Sequence, residues 1–237
     1  MATGGNDRDR IWSFERRAYW DARYLERMKE DNDDDGRLFD WLCTYEAVRG
    51  TIDRHLSGAR LAIDIGCGNA EFAAAVCAAH PRLAILGVDY SAALFDLAPR
   101  DLLGPRNRTS AAVMDARHMA LRPGLCDVVL DKGCLDALCA GWDQLEVLRG
   151  WGRAISEREE ELALAAVANV ARLLAEVERC LAPGGRYICI SYEGPAGRQR
   201  FFADAARAGL SLSLVETAVE EQTHNYVYVL TRGGQHQ

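Results

Sequence analysis

Two glycines and an aspartate have the types and the spacing of a site for an adenosine-containing ligand. Gly66 and Gly68 directly follow the apolar run in LAIDIGCGNAEF (61–72), and Asp89 lies 23 residues after Gly66, at the end of a second apolar run. Glycines at such a turn let the backbone approach a ligand closely. A carboxylate at this spacing accepts both hydroxyls of an adenosine ribose. The pattern therefore predicts a nucleoside cradle, with a plain tight turn and a helix cap at Asp89 as the alternatives.

The residue after this cradle argues against a dinucleotide. Glu71 stands where a dinucleotide-binding motif has its third glycine, which brings the following helix close to the strand. Glu71 and Asp64 would also place negative charge beside a diphosphate. The ligand is therefore expected to carry positive charge.

Two further strand ends are predicted to reach the same rim. Asp115 and Ala116 follow a third apolar run, and Asp131 and Lys132 lie at the end of a fourth. Ligands of open parallel sheets bind outside the carboxyl ends of the strands. We therefore expect Asp115 and Ala116 at the edge of an adenine ring and Tyr90 against its face.

The rest of the chain is predicted to be the scaffold for these strand ends. From residue 60 onward, short β-rich runs alternate with helical stretches, which is typical of parallel strands joined by helices. The predicted strands are 60–65, 83–88, 109–114, 126–131, 186–191, 210–219 and 225–232. A long helix is predicted to begin at Ser156, which forms a capping-box pair with Glu159, and to end at the APGG at 182–185.

Length and composition favour one folded domain over residues 1–237. Residues 1–10 are expected to be disordered, residues 11–56 to form helical patches around an acidic loop at 29–36, and residues 57–237 to form the α/β core. The formal charge of −7, with 28 basic and 35 acidic residues, disfavours nucleic acid as a partner. No apolar run approaches the length of a membrane span, so no membrane partner is expected.

The eight cysteines lie mostly in apolar runs and show neither a CxxC pair nor a metal-binding spacing with histidine. They are typical of buried thiols in a reducing compartment, and the N-terminus has no apolar core like that of a secretory signal. We therefore expect a cytoplasmic protein without a metal site.

At this point the sequence resembles a known family. The stretches DIGCGNAEF (64–72), VDYS (88–91), MDAR (114–117) and DVVLDKGCLDAL (127–138) resemble class I S-adenosylmethionine-dependent methyltransferases. Within that class, the resemblance is to the methyltransferase-like 13 group, which includes lysine methyltransferases of elongation factor 1-alpha and of citrate synthase. The strings that narrow it are YWDARY (19–24), FDWL (39–42) and DKG-LDAL (131–138). The resemblance covers roughly residues 15–230.

The resemblance implies a Rossmann-like α/β fold with S-adenosyl-L-methionine as cofactor. Its sheet would have seven mostly parallel strands, the last one antiparallel, with helices on both faces and an N-terminal segment folded over the cofactor. By motif position, the implied cofactor-binding residues are Trp20, Tyr24, Trp41, Gly66, Asp89, Tyr90, Asp115, Ala116 and Lys132. The three N-terminal aromatic residues would close on the cofactor, Gly66 would lie beneath its amino-acid portion and Lys132 near its reacting end. An aromatic core stripe is the alternative for these three.

Two features depart from the family pattern. Cys134 stands where the family usually has threonine, and residues 141–160 are expected to form a longer loop at the rim where a methyl acceptor would enter. Asp131 and Asp136 are candidates to take a proton from the acceptor, although ordering the local loop is the favoured role for both. His118 and His224 are isolated and are expected to be structural.

We therefore expect an S-adenosylmethionine-dependent protein-lysine methyltransferase whose partner is elongation factor 1-alpha. A small-molecule methyltransferase is the first alternative, because the same core serves many acceptors. A non-catalytic adapter that retains the fold is the alternative of another class. The sequence leaves the oligomeric state open.

Overall fold

The computed structural model describes residues 14–30, 41–93 and 108–234, and for residues 27–30 it describes the backbone only. The predicted disorder at 1–10, most of the acidic loop at 29–36 and the first half of FDWL lie outside these residues. The helices are α1 (Arg17–Glu30), α2 (Tyr45–Leu56), α3 (Glu71–Ala79), α4 (Cys134–Gly150), α5 (Glu157–Cys180) and α6 (Pro195–Arg207). The strands are β1 (Leu61–Ile65), β2 (Ala84–Asp89), β3 (Thr109–Val113), β4 (Cys126–Lys132), β5 (Leu181–Ser191), β6 (Leu212–Val219) and β7 (Tyr226–Arg232).

The strands form one seven-stranded sheet in the order β3-β2-β1-β4-β5-β7-β6. The first five strands in this order, β3, β2, β1, β4 and β5, are parallel to one another, whereas β7 is antiparallel to both β5 and β6. Strand order reverses between β1 and β4, so this pair forms the topological switch point at which open α/β sheets bind ligands. The expected fold class is confirmed.

Apolar residues cover both faces of the sheet. On β1, Ile63 and Ile65 face one core, which α5 and α6 cover, while Ala62 faces a second core, which α2 and α3 cover. Successive side chains of a strand point to opposite faces, so a strand buried on both faces is apolar at nearly every position. This explains why four of the five residues at 61–65 are apolar, with Asp64 as the exception near the carboxyl end.

The expected loop at 141–160 is wrong for its first half. Residues 141–150 continue α4, and only 151–156 connect it to α5. A side chain at Gly141 would put a Cβ 3.1 Å from the carbonyl oxygen of Leu162, so this glycine lets α4 and α5 pack closely. Leu145 and Leu148 are buried on the same helix. The glycine thus serves helix packing and does not mark a loop.

The predicted capping box at the start of α5 is confirmed. The Ser156 hydroxyl accepts the N–H of Glu159, while the Glu159 carboxylate accepts the N–H of Ser156 at 2.8 Å. All eight cysteines are free thiols, and seven of them are buried. Among the described residues, no helix combines the length and apolar character needed to cross a membrane.

Candidate active site

A cavity of about 400 Å³ opens at the carboxyl ends of β1, β2 and β4, beneath α1. All nine residues that the sequence analysis named as cofactor-binding line it: Trp20, Tyr24, Trp41, Gly66, Asp89, Tyr90, Asp115, Ala116 and Lys132. The structure therefore brings the N-terminal aromatic residues and the strand-end residues to one site. Beyond the glycine loop the cavity continues along α4 to Tyr192 and Glu193, which follow β5.

The glycine loop has the backbone conformation expected from its sequence. Gly66 and Gly68 have positive φ values of 64° and 53°, which non-glycine residues rarely adopt. A Cβ at Gly66 would lie 2.9 Å from Cβ of Cys134, so β1 and the start of α4 are in close contact here. A Cβ at Gly68 would meet no atom within 4 Å, which leaves the loop's outer face open. Helix α3 then begins at Glu71.

Asn69 leaves one buried polar group available to a ligand. Its Oδ1 accepts the N–H of Glu71 at 3.2 Å, but its buried Nδ2 has no hydrogen-bond partner among the described residues. An unsatisfied buried donor is unfavourable. Because Asn69 lines the cavity, a ligand oxygen placed there would satisfy it.

Asp89 is a buried carboxylate held by backbone groups. Its Oδ1 accepts the N–H of Ser91 at 2.9 Å and its Oδ2 the N–H of Gly68 at 3.4 Å. Burial raises the pKa of Asp89 to about 6, although these two N–H groups oppose the shift. Each carboxylate oxygen has a second lone pair, so Asp89 keeps acceptor capacity toward the cavity.

Asp115 is tied to a neighbouring arginine. Arg117 donates from Nε to Oδ1 at 2.9 Å and from Nη2 to Oδ2 at 2.7 Å. Burial acts to raise the pKa of Asp115, but the hydrogen bonds from Arg117 outweigh it and lower the pKa. Asp115 is therefore ionised and fixed in place, with Ala116 beside it on the cavity wall.

Aromatic residues form the roof of the cavity. The ring centroid of Trp20 lies 5.8 Å from that of Tyr24 and 6.1 Å from that of Trp41. Trp20 Nε1 donates to the carbonyl oxygen of Phe14 at 2.7 Å, and the Tyr90 hydroxyl donates to the same oxygen at 3.2 Å. Helix α1 is thus joined to the end of β2. Burial is the main cause that raises the pKa of Tyr24, with the Asp89 carboxylate acting in the same direction.

Lys132 ties this roof to the sheet. Its Nζ donates to the carbonyl oxygen of Trp41 at 2.7 Å and lies 5.5 Å from the ring centroid of Phe72. A Cβ at Gly133 would come within 2.8 Å of the Trp41 ring, so the indole rests directly on that glycine. Lys132 lines the cavity as expected, and its ammonium group contacts both the N-terminal segment and the Phe72 ring on α3.

The two carboxylates considered as proton acceptors have structural partners. Asp131 is fully buried and accepts the N–H groups of Cys134 and Leu135 and the hydroxyl of Tyr187. Burial raises its pKa to about 7. Asp131 thereby caps the start of α4, which agrees with the loop-ordering role favoured from the sequence.

Asp136 likewise has both oxygens occupied. Oδ1 accepts from the Ser191 hydroxyl and from Arg198 Nε at 3.0 Å, and Oδ2 accepts the N–H of Tyr192 at 3.0 Å. Burial raises the pKa of Asp136, and the charge of Arg198 opposes this. Asp136 links α4 to the end of β5 and to α6.

Sequence reasoning missed the residues of the far end of the cavity. Tyr192 and Glu193 follow β5 at the same rim as the four strand ends that were considered, so the same rule applied to β5 would have found them. Asp143 and Val147 on α4 also line the cavity, but they fell within the expected loop. Neither the strand-end rule nor the family resemblance assigned a role to Asn69 or Phe14.

The sheet order and the cavity at its switch point define a class, that of Rossmann-like methyltransferase folds. Residues 62–158 match the family model described as a methyltransferase domain. Over 217 residues the chain is 28% identical to EEF1A lysine methyltransferase 4 of Mus musculus. The aligned residues make up 91% of this chain and 74% of that relative. It is 29% identical over 173 residues to the eEF1A lysine and N-terminal methyltransferase of Homo sapiens, covering 73% of this chain but only 21% of that relative's length.

A solved structure shows the same fold. The N-methyltransferase NodS from Bradyrhizobium japonicum, in complex with S-adenosyl-L-homocysteine, superimposes with a TM-score of 0.52 at 17% identity, covering 90% of this chain and 98% of that one. The methyltransferase-domain match and the methyltransferase relatives support S-adenosylmethionine-dependent methyl transfer, with S-adenosylmethionine as the cofactor.

The residues of the cavity fit this cofactor. The open face at Gly68 leaves room beside the loop, and Nδ2 of Asn69 is a buried donor without a partner. Asp64 and Asp89 are buried carboxylates at the ends of β1 and β2. Carboxylates near the site favour a ligand with positive charge, which S-adenosylmethionine carries on its sulfur and its amino group.

Proposed function

We propose that the protein is a protein-lysine N-methyltransferase whose substrate is elongation factor 1-alpha. The observation that carries this proposal is the likeness, over 91% of the chain, to a relative named for methylating lysine in that factor. The extent of the cavity supports it. Donor and acceptor must meet in one space, and the cavity runs from the glycine loop past α4 to the turn after β5.

Within this proposal the nine predicted residues hold the cofactor. Asp89 accepts the ribose hydroxyls, Tyr90 lies against adenine, and Asp115 and Ala116 meet its edge. Gly66 lies beneath the amino-acid portion. The roof residues Trp20, Tyr24 and Trp41 exclude water, and Lys132 keeps the roof closed through its bond to the Trp41 carbonyl.

When bound, S-adenosylmethionine supplies an electrophilic methyl group on a positively charged sulfur. The lysine ammonium must first lose a proton to water, and an apolar channel favours this because it destabilises the charged form. Displacement at that methyl group by the nitrogen lone pair would methylate the lysine and would release S-adenosylhomocysteine. The protein's contribution is to hold nitrogen, carbon and sulfur in line.

Transfer of labelled methyl groups tests the proposal. Purified protein is incubated with methyl-labelled S-adenosylmethionine and either recombinant human elongation factor 1-alpha or a whole-cell lysate, with Asp89→Ala as the inactive control. The expected result is label on a lysine of the factor, located by mass spectrometry, and none with the variant. Label only in extractable small molecules would instead assign a small-molecule methyltransferase. Binding of S-adenosylmethionine without any transfer would assign an adapter.

A further inference from the structure

The far end of the cavity, beside the end of β5, contains three carboxylates, and two of them are neutralised. Arg198 is fully buried and donates from Nη1 and Nη2 to the two oxygens of Asp143, at 2.9 and 2.7 Å, and from Nε to Asp136. Tyr192 also donates its hydroxyl to Asp143. These carboxylates are occupied by the protein's own donors.

Glu193 is the third carboxylate, and one of its oxygens is available. Its Oε1 accepts the N–H of Gly194 at 3.0 Å, while Oε2 accepts nothing from any residue that the structure describes. Glu193 is partly buried and lines the cavity. This end of the cavity therefore presents a negative charge with free acceptor capacity.

The position of Glu193 is fixed before any ligand arrives. Its backbone N–H donates to the Ser191 hydroxyl at 3.1 Å, and its carbonyl oxygen accepts the Tyr228 hydroxyl at 2.7 Å. A Cβ at Gly197 would lie 2.4 Å from Cγ of Glu193, so the side chain rests on that glycine in the first turn of α6. A carboxylate held this firmly binds a cation with little loss of conformational entropy.

The surroundings of Glu193 suit a long aliphatic side chain that ends in a charge. Val147 and Tyr192 line the same end of the cavity and are 44% and 45% exposed, so they stand at its opening. Ala137 and Ala140 lie nearer the start of α4 and also form part of the cavity wall. Methylene groups would contact these apolar surfaces, while the terminal charge would reach a carboxylate.

We propose that Glu193 is the specificity-determining residue for the methyl acceptor: its carboxylate binds the ammonium group of the incoming lysine at the opening of the cavity, before the amine loses its proton and moves on to the cofactor. This inference rests on the proposed function, since it names the part of the site that selects a primary amine. Hydrogen bonds between charged groups are about twice as strong as neutral ones. Their loss is expected to weaken acceptor binding and to leave the cofactor in place.

The test compares Glu193→Gln with Glu146→Gln in steady-state methylation of recombinant human elongation factor 1-alpha. Glutamine keeps the acceptor for the Gly194 N–H, so the turn should persist. Glu146 is a matched control because it lies on α4, pairs with Arg149 at the surface and does not line the cavity. We expect the KM for the factor to rise about tenfold or more in Glu193→Gln, with kcat, thermal midpoint and S-adenosylhomocysteine affinity close to wild type. An unchanged KM, or a lowered thermal midpoint with no change in KM, would overturn the inference.

A second measurement separates this inference from the identity of the substrate. Protein saturated with S-adenosylhomocysteine is titrated with n-butylamine, which is protonated at neutral pH, and with uncharged n-butanol. We expect the wild type to bind the amine about tenfold or more tightly than the alcohol, and Glu193→Gln to lose that preference. If the wild type fails to methylate the elongation factor but shows this preference, the proposed function fails and the inference survives. Equal binding of amine and alcohol by the wild type would contradict the inference alone.

Discussion

The two ends of the cavity are built in different ways. At the glycine loop, backbone conformation creates the site, and the polar groups keep capacity for a ligand: Nδ2 of Asn69 has no partner among the described residues, and Asp89 is held only by backbone N–H groups. At the far end, a side-chain network centred on Arg198 saturates Asp136 and Asp143. The glycine-loop end is a binding surface. The far end mainly stabilises the fold, and among its described residues Glu193 is the one carboxylate outside the Arg198 network.

This comparison separates stability from binding. Changes to the network should lower the free energy of unfolding and affect the cofactor little while the protein remains folded. Changes at the glycine loop should lower cofactor affinity and leave folding nearly intact.

Arg198→Met is expected to cause the largest effect. It leaves Asp136 and Asp143 without their shared cation, and removing one partner of a buried ion pair costs about 3–5 kcal/mol. Urea unfolding measures the loss. The control is Arg149→Met, whose partner Glu146 is 51% exposed and which should cost about 0.5 kcal/mol or less.

Because a loss of this size could prevent folding, the double variant Arg198→Met/Asp136→Asn provides a second measurement. It removes one uncompensated charge and should recover part of the lost stability. Equal destabilisation by Arg198→Met and Arg149→Met would show that the network supports nothing, and the contrast between the two ends would fail.

Asp89→Ala is expected to weaken S-adenosylmethionine binding about 100-fold, because two hydrogen bonds to a charged group are lost. Calorimetric titration measures the affinity. Asp127→Ala is the matched control, since Asp127 also accepts two backbone N–H groups, those of Arg60 and Leu61, but at the opposite end of β1. The control should lower stability and keep cofactor affinity. A similar loss of affinity in both variants would place the effect in folding and not in the site.

Cofactor affinity is expected to depend on pH through Asp89. Burial raises the pKa of this carboxyl to about 6, and only the ionised form accepts hydrogen bonds with both oxygens. Affinity should be constant above about pH 7 and fall about tenfold per pH unit below the pKa. Calorimetry over this range measures the slope, and Asp89→Asn should abolish it. The same slope in that variant would assign the titration to another group.

The same pKa has an opposite consequence for the ligand-free protein. A carboxyl whose pKa is higher in the folded state binds more protons there than in the unfolded chain between its usual 3.8 and about 6. Its contribution to stability is therefore lost as pH rises through this window. Asp131, with a pKa raised to about 7, acts in the same direction.

The glycine-loop end could be predicted from the sequence because its rules are local. A run of apolar residues fixes a strand, and the carboxyl ends of parallel strands meet at one edge, so Gly66, Asp89 and Asp115 were predicted to share a rim. The network end could not be predicted in this way. Arg198 meets Asp136 and Asp143 across separations of 62 and 55 residues, and only the tertiary arrangement of α4 and α6 brings these side chains together.

The error at residues 141–150 has the same origin. A glycine within a helical stretch normally weakens the prediction of a helix, since it costs about 1 kcal/mol relative to alanine. At Gly141 the close approach of α5 offsets that cost, and the approach involves a residue 21 positions further along the chain. Local propensity was thus overridden by tertiary packing, which the sequence pattern did not contain.

Asn69→Ser is expected to have the smallest effect and gives the most direct test of the open groups at the glycine loop. Serine retains an oxygen that can accept the N–H of Glu71, so the start of α3 should persist and the free energy of unfolding should change by about 0.5 kcal/mol or less. The Nδ2 donor is lost, and with it one hydrogen bond to the cofactor worth about 1 kcal/mol, or about fivefold in affinity. Calorimetry and urea unfolding on the same preparation measure both quantities. Lower stability with unchanged affinity would mean that Asn69 supports the loop and that its unpartnered amide does not contact the cofactor.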